Sequence, residues 1–286
     1  MTMRLPEWIK TENIIGEHKT KKVLRSHGVS TVCEEARCPN KGLCFSKPTA
    51  TFMILGDSCT RNCGFCSVDS SPPALPDTLE PEKIALASKE MGLKYVVITS
   101  VTRDDLPDGG AGQFAETIKM VRQHLPKARI EVLTPDFLGN RGALKIVLDA
   151  GPDVFNHNIE TIPRLYSQVR PQAVYRRSLE VLTAAREIAP SIPAKSGLMV
   201  GFGETFEEVV TVMRDIRAAG CRILTIGQYL RPGRQNLPVV EYIHPEVFDR
   251  YRETALDLGF SFVASGPLVR SSMNAEEMYS AREDGA

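Results

Sequence analysis

From residue 50 onward, short β-branched runs alternate with helical patterns, and this alternation constrains the fold more than any other feature of the chain. The segments 50–55, 95–100, 129–134, 153–157, 195–200, 221–226 and 260–263 read as strands, most of them nearly continuous apolar runs. Between them the spacing predicts helices over 80–92, 113–125, 141–150, 161–169, 176–189, 205–219 and 245–258. The sharpest start is Thr205-Phe-Glu-Glu208, a capping-box pattern followed by Val209, Val212, Met213 and Ile216 on one face, with Gly220 as the stop. Apolar strands separated by helix-length crossovers form a parallel sheet with helices outside. Six or seven such units predict an α/β fold, a partial or complete (β/α) barrel of TIM type, with its ligand site at the C-terminal ends of the strands.

One strand end carries distinctive chemistry. The 50–55 run leads into Cys59-Thr-Arg-Asn-Cys63-Gly-Phe-Cys66. Three thiolates at x3 and x2 spacing can hold three irons of a cubane cluster and leave the fourth iron open to a substrate. Catalytic metal sites keep such a position free, whereas structural ones are closed. The competing reading is a zinc knot or free-thiol loop, but zinc favours paired Cys-x2-Cys motifs and only one such pair is present. Upstream, Cys33-x4-Cys38-x5-Cys44 forms a second triad, again one ligand short of closure. Six of the seven cysteines thus fall within residues 33–66, which suits metal ligation in a reducing compartment better than disulfides. Cys221, alone at the start of an apolar run, reads as core.

With 286 residues and 42% hydrophobic content, the chain can bury one sizeable core or two small ones. Lys+Arg and Asp+Glu number 35 each, so no overall field draws the chain to nucleic acid. No stretch has the length of a signal-peptide core or a membrane span, and the expectation is a cytoplasmic protein with no membrane contact; a transit peptide already removed would leave no trace. Residues 1–32 are polar, with Trp8, Ile14 and Ile15 as anchors, and are expected to wrap the main domain without a core of their own. The Pro-rich stretch 70–76 reads as an ordered loop inside the first unit.

Other strand ends add polar groups where a barrel places a cofactor. Thr99-Ser100-Val-Thr102-Arg103-Asp104-Asp105 and Asn156-His157-Asn158-Ile-Glu160 offer hydroxyls, amides and carboxylates to a ribose or an amino group. Gly201 and Gly203 let backbone approach a ligand closely or simply make a turn. His157 stands as either a general base or, the simpler reading, a structural hydrogen-bonder. Arg170 and Arg231, each before a proline, can bind a carboxylate bidentately or serve at a surface.

The 59–66 motif, with Phe65 before its last cysteine, resembles that of the radical S-adenosylmethionine (SAM) superfamily. The resemblance implies that the open iron chelates SAM, that SAM is cleaved to a 5′-deoxyadenosyl radical, and that Phe65 lies against the adenine. The upstream triad, Glu34-Glu-Ala-Arg-Cys38-Pro-Asn, Gly56-Asp-Ser-Cys59-Thr-Arg, Asn156-His-Asn-Ile-Glu160-Thr and Ser265-Gly-Pro-Leu-Val-Arg-Ser-Ser272 narrow it further: the chain resembles the lipoyl synthase family from about residue 30 to 273. This implies two 4Fe–4S clusters, the second held by Cys33, Cys38, Cys44 and a serine of Arg270-Ser271-Ser272, with Ser272 preferred over Ser271. The domain reading is a 1–49 extension with the auxiliary cysteines, a 50–264 barrel, and a 265–286 segment closing the auxiliary site.

The implied reaction is insertion of two sulfur atoms at C6 and C8 of a protein-bound octanoyl-lysine. Thr99, Asn158, Glu160, Arg170, Gly201 and Gly203 are the expected cofactor contacts beside Phe65, and no side-chain acid or base is needed. Implied partners are octanoylated lipoyl carrier domains or the glycine-cleavage H protein, a ferredoxin- or flavodoxin-type reductant, and an iron–sulfur carrier that rebuilds the auxiliary cluster. The basic segment Lys19–Arg25 is a candidate for docking the carrier. Met273 stands where the family usually has tyrosine. The rivals are another radical SAM sulfur-transferase, biotin-synthase-like or methylthiolating, and a non-enzymatic metal scaffold.

Overall fold

The structure, a computed structural model, describes residues 4–9, 18–46 and 50–272. Ile14, Ile15 and Met273 lie outside the described residues. Eight strands form one sheet in sequence order. β1 (Ser30–Thr31) pairs antiparallel with β2 (Thr51–Ile54). Every later pairing is parallel, through β3 (Tyr95–Ser100), β4 (Arg129–Leu133), β5 (Val154–Asn156), β6 (Ala194–Val200), β7 (Ile223–Gln228) and β8 (Phe262–Gly266). Among the described residues β8 pairs with β7 alone, so the seven parallel strands make a partial barrel.

Three helices precede the barrel: α1 (His18–His27), α2 (Val32–Glu35) and α3 (Lys41–Ser46). The crossovers carry α4 (Glu80–Glu90), α5 (Ala111–His124), α6 (Arg141–Asp149), α7 (Tyr166–Val169), α8 (Tyr175–Ile188), α9 (Phe206–Ala218) and α10 (Pro245–Asp257). The capping box at α9 forms as read: Glu208 N donates to Thr205 Oγ1 at 3.2 Å and Thr205 N to Glu208 Oε2 at 2.8 Å. The expected helix over 161–169 divides into a 3₁₀ turn, Pro163–Leu165, and the single turn α7. The strand expected from 221 begins at Ile223, because Cys221 N still bonds back to Ile216 O of α9 at 3.3 Å.

The face of the sheet turned away from the cavity row Met53, Thr99 and Leu133 is held by Phe52, Ile54, Ile98, Ile130, Val132, Phe155, Leu224 and Ile226, all essentially removed from solvent. Each such side chain contributes about 1.5–3 kcal/mol relative to exposure. α1 has no core of its own: Val23 and Leu24 join the barrel core, and Thr20 Oγ1 donates to Phe45 O of α3 at 2.7 Å. The Lys195–Glu131 ion pair is fully buried. Lys195 Nζ donates to Glu131 at 2.9 Å, while Tyr95 and Asn156 donate to the same carboxylate, so the charge is paired on every side.

Candidate active site

The loop after β2 is stitched to the rims of its neighbours. Cys59 N donates to Asp69 O, and Thr60 N and Oγ1 both donate to Thr102 O beyond β3. Cys59 Sγ accepts from Arg61 N at 3.4 Å and Thr102 N at 3.3 Å. Gly64 N donates to Val169 O, Leu237 N to Gly64 O, and Asn236 Nδ2 to Cys66 O at 2.6 Å. Arg61, inside the motif, makes a bidentate pair with Asp104 at 2.7 and 2.9 Å and reaches Asp136 past β4 at 2.6 Å. Burial alone would raise the Asp136 carboxyl, but the Arg61 hydrogen bond and charge outweigh it and hold it at about 2.

Sequence reading missed Arg61 and Asp136. The available signal was a cation embedded among cluster cysteines, which cannot be buried without carboxylates.

Cys59, Cys63, Phe65 and Cys66 line a cavity of about 180 Å³ with Thr99, Asn158, Glu160 and Arg170. The cavity also takes in Ser100, Thr134 and His157. Gly201 and Gly203 are not among its lining residues. A Cβ on Gly201 would meet Gln228 Nε2 at 2.1 Å and Glu241 O at 2.8 Å, so its lack of a side chain serves packing against β7 and the loop behind it. Arg231 is exposed and bonds the nearby Arg234 carbonyl, away from the cavity.

Five buried polar atoms of the cavity wall have no partner among the described residues: Ser100 Oγ, Thr134 Oγ1, His157 Nε2, Asn158 Oδ1 and Arg170 Nε. Buried polar atoms are rarely left alone, so their convergence on one cavity marks a place for a polar ligand. Arg170 Nη1 is anchored on Asn158 O, Ile159 O and Tyr166 OH, which aims the remaining guanidinium edge. His157 Nδ1 donates to Thr134 O at 2.9 Å, so Nε2 is the acceptor face. Burial, then the Arg170 charge, lowers the imidazole to about 4 and keeps it neutral. Glu160, held at φ 68 by bonds with Gly197 and Met199, has its carboxyl raised by burial against the pull of Arg170.

The second triad lies on the pre-barrel helices. Cys33 sits on α2, Cys38 follows it with Cys38 N donating to Cys33 O, and Cys44 sits on α3. Burial pushes the Cys33 thiol up to about 12, and the charges of Cys38 and Cys44 act on it in the same direction. Cys66 is likewise pushed up to about 12 by burial. Arg270 hydrogen-bonds toward Cys38, and Asn40 Nδ2 donates to Leu268 O at 2.6 Å, which brings the Arg270-Ser-Ser272 segment to this triad. Val32, next to Cys33, lines the first cavity, so the two triads flank the same space.

Among the described residues no three His, Cys, Asp or Glu side chains converge closely enough for a single metal ion. Cys59, Cys63 and Cys66, all free thiols at the edge of one cavity, are donors of the type that holds three irons of a cubane cluster. No described helix is long and apolar enough to cross a membrane.

The profile of the radical SAM superfamily matches residues 53–216, more than half of the chain. Solved structures agree on the fold: Streptococcus suis SuiB matches with TM-score 0.60 at 10% identity over 86% of this chain and 52% of that one. Methylornithine synthase PylB matches with TM-score 0.55 at 13% identity over 92% and 88%. The partial barrel with its cysteine loop is therefore a radical SAM enzyme.

The profile of the N-terminal domain of lipoyl synthase matches residues 1–38. Lipoyl synthase of Rubrobacter xylanophilus is 55% identical over 98% of this chain and 88% of its own length, and that of Caldanaerobacter subterraneus 53% identical over 96% and 97%. The chain belongs to the lipoyl synthase family.

Proposed function

We propose that the protein inserts two sulfur atoms, at C6 and C8, into an octanoyl chain amide-linked to a lysine of a lipoyl carrier domain or H protein. The observation that carries this reading is the cavity with five orphaned polar atoms, walled by one cysteine triad and flanked by another. When bound, the 4Fe–4S cluster of Cys59, Cys63 and Cys66 together with SAM supplies a hydrogen abstraction from unactivated carbon that no side chain can perform.

The chain's own residues orient and exclude water. Arg170, with Nε free and its other edge anchored, is suited to the methionine carboxylate, and Glu160 to the ammonium. Thr99, Asn158 and the bare Nε2 of His157 offer further contacts, and Phe65 a face for the adenine. Cys33, Cys38, Cys44 and Ser272 would hold an auxiliary 4Fe–4S cluster, which would supply the sulfur. Ser271 is already engaged by Asn158 at 3.0 Å, which supports Ser272 as the fourth ligand. Ferredoxin- or flavodoxin-type reduction and an iron–sulfur carrier that rebuilds the donor complete the reading. The exposed Lys19, Lys22 and Arg25 on α1 are the proposed carrier-docking face.

The test is anaerobic incubation of reconstituted protein with octanoyl-lysine peptide, SAM and dithionite, followed by mass spectrometry. Gain of two sulfurs with 5′-deoxyadenosine is the expected outcome. Deoxyadenosine without sulfur on the peptide would discard the substrate and keep the radical enzyme.

A further inference from the structure

The segment after β8 is seated on the barrel rim by features spread across the chain. Asn40 holds Leu268 O, and β7 makes room for the segment. A Cβ on Gly227 would lie 2.2 Å from Val269 O and 3.2 Å from Arg270 Nη1, so only glycine lets the segment lie this close to the strand. Gly197 on β6 does the same beside Asn158, whose Oδ1 stands 3.0 Å from where a Cβ would be. Asn158 then spends both amide hydrogens at once, on Glu160 Oε1 at 3.1 Å and on Ser271 Oγ at 3.0 Å. Glu160 is an acceptor, which fixes the amide in this orientation.

Glu160 and Asn158 line the cavity, while Ser271 immediately precedes the proposed cluster-ligating Ser272 and follows Arg270, which reaches Cys38. A continuous polar chain, Glu160 to Asn158 to Ser271, therefore runs from the cavity to the second triad.

We propose that Ser271 is a positioning residue that couples the two sites: its hydroxyl, held by Asn158, links SAM affinity in the cavity to closure of the auxiliary cluster by the C-terminal segment. The proposal rests on the two-cluster reading above. A ligand drawn to Glu160 and Asn158 binds a preformed pair only when Ser271 is docked, and docking is favoured when the auxiliary cluster holds the segment down. Coupling through one such hydrogen bond is about threefold to tenfold in affinity, and it is reciprocal.

The experiment measures SAM dissociation constants by calorimetry, without reductant, in five reconstituted proteins: wild type, Ser271→Ala, Ser271→Thr, the triple variant Cys33→Ala/Cys38→Ala/Cys44→Ala, and the combination of Ser271→Ala with the triple variant. Iron content checks the underlying reading separately: about eight irons per chain should fall to about four in the triple variant, and an unchanged count would overturn the two-cluster reading instead. Expected is about threefold to tenfold weaker SAM binding in Ser271→Ala, a similar loss in the triple variant, and no further loss when the two are combined. Ser271→Thr, which keeps the hydroxyl, should bind SAM as the wild type does. Unchanged affinity in Ser271→Ala, or losses that multiply in the combination, would overturn the coupling.

Discussion

The two cysteine triads are built on different principles. The 59–66 loop is gripped from several directions by the barrel itself, through Thr102, Val169, Asn236, Leu237 and above all the Arg61 clamp on Asp104 and Asp136. The 33–44 triad rides on two short helices outside the barrel; Cys33 and Phe45 pack into its core, Ser67 Oγ donates to Glu35 O, and the distant C-terminal segment adds a strap through Asn40 and Arg270. A clamped site keeps its shape through many turnovers. A strapped site can open, which suits the proposed sulfur-donor role of the second triad.

The comparison breaks most cleanly at the thiols. Cys63→Ala should abolish 5′-deoxyadenosine formation, while Cys38→Ala should still cleave SAM yet leave octanoyl-lysine peptide without sulfur; chromatography and mass spectrometry separate the two. Loss of deoxyadenosine in both variants would show that the triads do not act separately.

Arg61→Met should destabilise the apoprotein by about 3 kcal/mol in urea unfolding, since it leaves the buried Asp136 carboxylate with only Leu138 N at 3.1 Å and Arg177 at 3.3 Å among the described residues. No comparable effect is expected from Arg25→Met outside the barrel, where the Glu34 pair is largely exposed on the arginine side.

The same clamp has a pH signature. Asp136 is depressed from 3.8 to about 2, so its contribution of about 2 kcal/mol is present above pH 4 and lost as pH falls towards 2. Unfolding free energy measured across that window should slope in the wild type and flatten in Arg61→Met. A smaller effect is expected at the strap: Asn40→Ala removes a part-buried hydrogen bond, about 1 kcal/mol, and should speed loss of auxiliary iron to a chelator while the rate of SAM cleavage at saturating SAM stays normal.

Much of this molecule was legible in its sequence. Strand 95–100 and the helix starts at 80, 141 and 245 fall where periodicity puts them, and the start of α9 where its capping box puts it, because apolar runs between helix-length polar faces admit few packings. The α1 helix was not anticipated: its turn-spaced Val23 and Leu24 are too few to stand out from a polar stretch, and its order comes from docking on α3 and α4. Among site residues, the structure gathers Phe65, Thr99, Asn158, Glu160 and Arg170 with the cysteines at one cavity, while the glycines of 201 and 203 serve backbone packing nearby.

The chain alone determined the element order, the parallel sheet and the two triads, since thiol spacing and hydrophobic period are local properties. Only the tertiary structure decided which buried atoms lack partners, that Arg61 clamps the loop, and that Asn158 reaches Ser271 across 113 residues. Those contacts join segments far apart in sequence, and no local pattern encodes the place where the folded barrel brings them together.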